Sequence, residues 1–196
     1  MNYDKIFRKR IDGTEIRYGV VFGNEKIVFI KTGVDGRIGG SNNKYLKMAQ
    51  RLHERLGATV ICSSNPSTDS GHFASDKAFI KKVVAETGLS SYTLSFFGTS
   101  DGAYLNLLLA KAFPETVKLV CVNTSTPNYD RLKENLIKLS HVSKIFVYGD
   151  KDVEYHFLPR LEKENFENFE LITVSGADHK FTGMVEEYIL LSDLLK

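Results

Sequence analysis

Apolar residues recur along this chain in two rhythms. Short runs rich in β-branched and aromatic residues lie at 26–31 (Lys-Ile-Val-Phe-Ile-Lys), 59–62, 92–97, 117–122, 144–148 and 169–174. Such runs, bounded by polar or glycine-rich residues, are the pattern of buried strands. Between the first two, Leu46, Met48, Ala49, Leu52 and Leu56 fall at helical spacing over residues 45–56, and Gly57 is a suitable stop. Further helices are predicted over 75–87, 103–113, 130–139, 155–164 and 184–195. The helix over 103–113 must stop there, because the residue before Pro114 leaves the helical region. Ahead of this alternation, residues 3–10 and 15–22 flank Asp12-Gly13, a strong hairpin signal. Read locally, the second strand then pairs with the third across Gly23-Asn24.

From the third strand onward, strand and helix alternate with short connections. That pattern predicts an α/β fold: a mostly parallel central sheet joined by crossover helices that cover both faces, preceded by an antiparallel hairpin. No linker, repeat or low-complexity tract interrupts it, so residues 1–196 read as one domain.

Composition narrows the function classes. A chain of 196 residues buries about 70% of its unfolded surface and needs no staples. The 26 basic and 24 acidic residues leave a net charge of +2, with no basic face for nucleic acid. The Lys9-Arg10 and Lys81-Lys82 pairs read as solvated surface. The start, Met1-Asn2-Tyr3-Asp4-Lys5, has no apolar stretch of the signal-peptide kind, and no run approaches the roughly 20 residues of a membrane helix. Cys62 and Cys121 lie inside apolar strands and read as buried, reduced thiols, which favours the cytoplasm. The sequence is silent on oligomeric state.

The chemistry centres on Gly98-Thr99-Ser100-Asp101-Gly102, between a predicted strand and a predicted helix. A chain of this length shows Gly-x-Ser-x-Gly by chance about one time in ten, so the motif takes its weight from its flanks and partners. On such a sharp strand-to-helix corner the serine hydroxyl points into a cleft. The competing reading is a capping serine whose oxygen accepts from helix N–H groups. In parallel α/β sheets, ligands bind beyond the carboxyl ends of the strands, which supplies an address for each partner.

A serine hydroxyl needs a base. His53 lies within a helix, His141 precedes its strand, and His156 opens a helix. His72 is at the correct edge but precedes Ser100 in sequence. His179, directly after the last strand in Ser175-Gly176-Ala177-Asp178-His179, is the predicted base. The base needs a carboxylate to hold its tautomer. Gly149-Asp150-Lys151-Asp152 offers two at the correct edge; Asp152 reaches further, whereas Asp150 can bond the turn backbone. Asp178 adjoins His179, and neighbouring side chains on an extended chain point apart. The order Ser100, Asp152, His179 suits a turn-mounted serine. The oxyanion donors are predicted to be the N–H of Asp101 and that of Val34, in the glycine-rich loop after the third strand. That loop matches no Walker pattern. The pocket wall is expected to include Gly33, Asp35, Arg37, His72 and Tyr129, with the polar segments 63–72 and 124–129. Such walls suit a small or polar substrate.

On Gly98-Thr99-Ser100-Asp101-Gly102, Gly149-Asp150-Lys151-Asp152 and Gly176-Ala177-Asp178-His179, the sequence resembles the α/β-hydrolase family over nearly its whole length. The resemblance implies Asp152 as the acid and a strand order of 1-2-4-3-5-6-7-8, with the fourth strand between the second and third. It also puts two other strands between those of Cys62 and Cys121, too far for a disulfide at about 4.8 Å per strand. Two departures stand out. Many members have His-Gly where this chain has Thr32-Gly33, and many insert a cap where only residues 123–143 lie between the sixth and seventh strands. The site is expected to be open or lightly covered. The implied activity is that of a serine hydrolase cleaving an ester, thioester or related acyl bond of a small molecule without a cofactor or metal. An acyltransferase on the same three residues and a non-catalytic binding protein on this fold are the alternatives.

Overall fold

A computed structural model describes residues 2–67 and 72–196. Its centre is one sheet of eight strands in the order β1-β2-β4-β3-β5-β6-β7-β8. These are β1 (Lys5–Ile11), β2 (Thr14–Val21), β3 (Asn24–Lys31), β4 (Ala58–Ser63), β5 (Thr93–Thr99), β6 (Thr116–Val122), β7 (Ser143–Gly149) and β8 (Phe169–Val174). β1 pairs with β2, and β2 with β4, in antiparallel register; every other pairing is parallel.

The hairpin turns at Asp12 and Gly13, both at positive φ. The local pairing of β2 with β3 is not formed. β4 lies between them, with Val20 opposite Ile61 on one side and Val28 opposite Val60 on the other. The link between β2 and β3 is short because it passes directly against the start of β4. Asn24 N–H donates to the Gly57 carbonyl at 2.7 Å, and Gly23 N–H to Thr59 Oγ1 at 2.9 Å. A Cβ on Gly23 would stand 2.1 Å from the Gly57 oxygen, so this glycine permits a close crossing and does not make a hairpin turn.

Among the described residues, six α-helices cover the sheet: α1 (Lys44–Leu56), α2 (His72–Thr87), α3 (Asp101–Ala110), α4 (Tyr129–Lys138), α5 (Leu158–Lys163) and α6 (Val185–Leu190). Alternate strand residues face opposite layers. Ile27 and Phe29 pack with Ile80, Leu107, Leu132 and Leu161 on the side of α2 to α5. Val28 and Ile30 pack with Met48, Leu52 and Ile189 on the side of α1 and α6. β4 is buried along its whole length, as a strand covered on both faces must be. α1 ends where Gly57 takes φ 66° and returns its N–H to the His53 carbonyl.

The helix expected over 155–164 is divided into a 3-10 segment, Val153–Phe157, and α5. Pro159, in the first turn of α5, has no N–H to extend an α-helix backward. The closing helix likewise changes to 3-10 form at Leu191–Leu195. Cys62 and Cys121 are buried, unpaired and separated by β3 and β5. Between β6 and β7 only α4 and its loops intervene, so no cap is inserted there. Among the described residues no helix is long and apolar enough to cross a membrane.

Candidate active site

The carboxyl ends of β3, β5, β6, β7 and β8 gather five loops at one edge of the sheet. Ser100 stands at the corner between β5 and α3 with φ 55° and ψ −127°. A non-glycine residue there carries about 1–3 kcal/mol of strain, held by its surroundings. The corner is tight on both sides. A Cβ on Gly98 would lie 2.4 Å from Ala103 Cα, and one on Gly102 would lie 2.2 Å from the Thr32 oxygen. Ser100 N–H donates to the Val122 carbonyl at 2.8 Å, which ties the corner to β6. Its side chain makes no capping bond to α3, so the competing role of a capping serine is not realised.

Instead, Ser100 Oγ lies 3.0 Å from His179 Nε2, and His179 Nδ1 lies 3.0 Å from both carboxylate oxygens of Asp152. The Asp152 side chain is fully buried, whereas His179 is about one-third exposed. Asp152 Oδ1 also accepts the Glu154 N–H at 2.8 Å, which fixes the carboxylate plane. The hydrogen bond to Asp152 raises the His179 pKa above its ordinary value, against the opposing effect of burial.

The other carboxylates are engaged elsewhere. Asp150 accepts from Gly176 N–H at 2.7 Å and Ser175 Oγ at 3.1 Å. Asp178 accepts from the N–H groups of Lys180 and Thr182. Both tighten the loop that carries His179. His53 bonds the Ala58 carbonyl, His72 the Pro66 carbonyl and His156 the Val153 carbonyl.

Asn123, fully buried at φ 46°, binds the two partner loops to each other. Its Oδ1 accepts the Gly149 N–H, and its Nδ2 donates to the carbonyls of Asp178 and His179. Ser125, from the same loop, sits 3.0 Å from Ser100 Oγ. Sequence reasoning missed Asn123 and reached Ser125 only as part of the expected 124–129 wall. The available signal was their place directly after β6, at the edge where the site had to form.

The loop after β3 passes against the serine: a Cβ on Gly33 would lie 3.4 Å from Ser100 Cβ. Gly36 N–H donates back to the Gly33 carbonyl, and Asp35 N–H to the Asn65 carbonyl, so the loop is pinned beside β4. Val34 is exposed on this loop, and Asp101 opens α3, where first-turn N–H groups lack intrahelical partners.

A cavity of about 900 Å³ adjoins Ser100 and His179. Gly33 and Val34 line it, together with Lys44 and Tyr45 of α1 and Phe181 and Tyr188 from the C-terminal segment. Asp35, Arg37, His72 and Tyr129 do not. Asp35 accepts from Ser67 N–H, Arg37 is exposed, and His72 is occupied by Pro66. Tyr129 is buried, stacked on Phe157 beneath the Arg160 guanidinium. The cavity opens toward α1 and α6, whereas those residues lie elsewhere around the rim. Residues 68–71 of the expected wall lie outside the described residues.

No protein-family model matches the chain, and no curated protein matches its sequence. Solved structures do resemble it. An alpha-beta serine hydrolase homologue from Coxiella burnetii covers 100% of this chain and 99% of its own, at 18% identity and a TM-score of 0.71. XC6422 from Xanthomonas campestris, described as a serine hydrolase without a lid, covers 97% and 93% at 19% identity and a TM-score of 0.71. Est1E from Butyrivibrio proteoclasticus covers 97% of both chains at 14% identity and a TM-score of 0.70. At such identities the likeness is one of fold, and that fold spans the whole described chain.

Proposed function

Starting from the α/β-hydrolase fold that this chain has, we propose that it is a serine hydrolase cleaving a carboxylic ester or thioester through an acyl-enzyme. The observation that carries the reading is the unbroken hydrogen-bonded path from Ser100 Oγ through His179 to Asp152, each step at 3.0 Å. His179 Nε2 takes the Ser100 proton as Oγ attacks the acyl carbon. Asp152 holds the proton on Nδ1 and stabilises the imidazolium. The N–H groups of Asp101 and Val34 receive the developing oxyanion, a contribution worth about 100- to 1,000-fold in turnover for each such donor. His179 then protonates the leaving alcohol or thiol. Water repeats the sequence in reverse and frees Ser100.

The mechanism uses only these side chains and the backbone. Est1E, of the same fold, has been seen with ferulic acid bound, which fits a small-molecule ester as the substrate class. We read residues 1–196 as one catalytic domain. We assign it to the cytoplasm on its two unpaired, buried thiols.

A fluorophosphonate probe tests the reading directly. Folded protein is expected to be labelled at Ser100, with Ser100→Ala unlabelled and inactive on short p-nitrophenyl esters. Unlabelled folded protein, together with a Ser100→Ala variant as active as wild type, would overturn the reading.

A further inference from the structure

The cavity beside Ser100 holds a lysine that none of the described carboxylates pairs with. Lys44 is the first residue of α1, and its ammonium lies 3.7 Å from the centroid of the Tyr188 ring and 5.2 Å from that of Tyr45. Both rings line the cavity, as does Lys44 itself. The rings are fixed from behind. The hydroxyls of Tyr188 and Tyr45 meet at Thr99 Oγ1, the residue before Ser100, and both tyrosines are buried. The lysine is therefore seated on a rigid aromatic wall joined to the serine corner.

Among the described residues no carboxylate lies within ion-pair distance of Lys44. Four other ionisable side chains face the same cavity: His179 and Lys180 after β8, and Glu186 and Glu187 on α6. Glu186 pairs with Lys47 at 3.3 Å and is mostly exposed; Glu187 and Lys180 are also exposed. Burial, with no charged neighbour to oppose it, pushes the Lys44 pKa down to about 8. The positive end of the α1 dipole disfavours a cation at this position as well. Aromatic faces recover only part of that cost. A mobile surface lysine would avoid the site, whereas an anion entering the cavity would offset both penalties at once.

We propose that Lys44 is an anion-recognition residue of this cavity, and that one arm of the substrate ends in a carboxylate that docks on its ammonium. This rests on the serine-hydrolase reading for the word substrate, but the anion site itself is tested separately. The apolar stem of that arm would lie along Tyr45 and Tyr188, with the ester at Ser100. Half-esters of dicarboxylic acids, or esters of hydroxy acids, have this form.

Two kinetic comparisons locate the charge. Monomethyl adipate against methyl pentanoate puts the carboxylate on the acyl side; 4-acetoxybutanoate against butyl acetate puts it on the alcohol side. In one pair, wild type is expected to favour the anionic ester in kcat/KM. Lys44→Met should reduce that preference ratio by about 10- to 100-fold, the range for a hydrogen bond to a charged group. Lys44→Arg should retain most of it, which separates charge from packing. Isothermal titration of adipate against neutral adipamide reads the same site without turnover. Adipate is expected to bind at least about tenfold more tightly, with the gap closed in Lys44→Met. Equal binding of the two, or a gap unchanged in Lys44→Met, overturns the proposal even where fluorophosphonate labels Ser100. Absent labelling and a Ser100→Ala variant as active as wild type, with the adipate gap intact, would instead overturn the hydrolase reading and leave the anion site standing.

Discussion

In the proposed mechanism the Ser100 hydroxyl gains its reactivity from one imidazole, whose charge state would set both rate and pH dependence. His179 acts as a base only when neutral, and its hydrogen bond to Asp152 raises its pKa above the usual histidine value. Activity is therefore expected to rise with pH through a single step above about 6.5 in kcat/KM. Asp152→Asn removes the largest cause of the upward shift. That variant should move the step to lower pH and reduce kcat by about 10,000-fold, as loss of the correct tautomer does in comparable triads. Stability runs the other way. A histidine with a raised folded pKa contributes stability that is full below its unfolded pKa and lost as pH rises through the folded one. Thermal melts across pH 5 to 9 should show that loss in wild type and a smaller one in Asp152→Asn. Ser100→Ala is expected to lower kcat about a thousandfold or more while the protein remains folded, measured by turnover beside circular dichroism.

Each loop at the site is held by backbone approach or by a buried amide, so substitutions far from the substrate act through position. Gly98→Ala and Gly102→Ala bring a Cβ to 2.4 Å and 2.2 Å from backbone atoms that cannot swing aside. Each should cost at least about 1–3 kcal/mol, read from the denaturant midpoint, and displace Ser100. Asn123 bonds β7's end and the His179 loop together. Asn123→Ala leaves three backbone groups, one buried and two half-buried, without their partner. It is expected to cost about 1–3 kcal/mol and to lower kcat more than it raises KM, because Asp152 and His179 lose their common anchor. At this scale the sequence was informative wherever the determinant was local. Strand β8 fell on the predicted residues, and Gly57 stopped α1 as its φ requires. The division before α5 also had a local cause in Pro159, yet the apolar spacing of residues 155–164 obscured it. Asn123 was invisible because its three partners lie 26 to 56 residues away.

Across the molecule, a buried ion pair underlies the loop of Gly33 and Val34. Lys31 Nζ lies 2.7 Å from Asp76 Oδ2, with both side chains essentially inaccessible. Ser63, the Ser64 carbonyl and Tyr18 complete the network across β2, β3, β4 and α2. Burial, the larger influence, lowers the Lys31 pKa, and the adjacent Asp76 carboxylate opposes that shift. Lys31→Met strands a buried carboxylate and should cost about 3–5 kcal/mol by chemical denaturation, with the double variant Lys31→Met/Asp76→Leu recovering most of it.

What the sequence determined alone was everything written in nearest neighbours: strand–helix alternation, the glycine-flanked serine corner, and candidate partners at the ends of later strands. Periodicity and turn chemistry act within a few residues, so they are legible without coordinates. The tertiary structure decided what depends on distant segments meeting. β4 entered between β2 and β3 because a chain 35 residues onward crosses Gly23. Asp152, not Asp150, came to lie against His179 because Asp150 is taken up by Gly176. The cavity opened toward Lys44, Tyr45 and Tyr188 because α1 and α6 pack together on one face of the sheet. That contact joins residues 143 positions apart, beyond the reach of any local pattern.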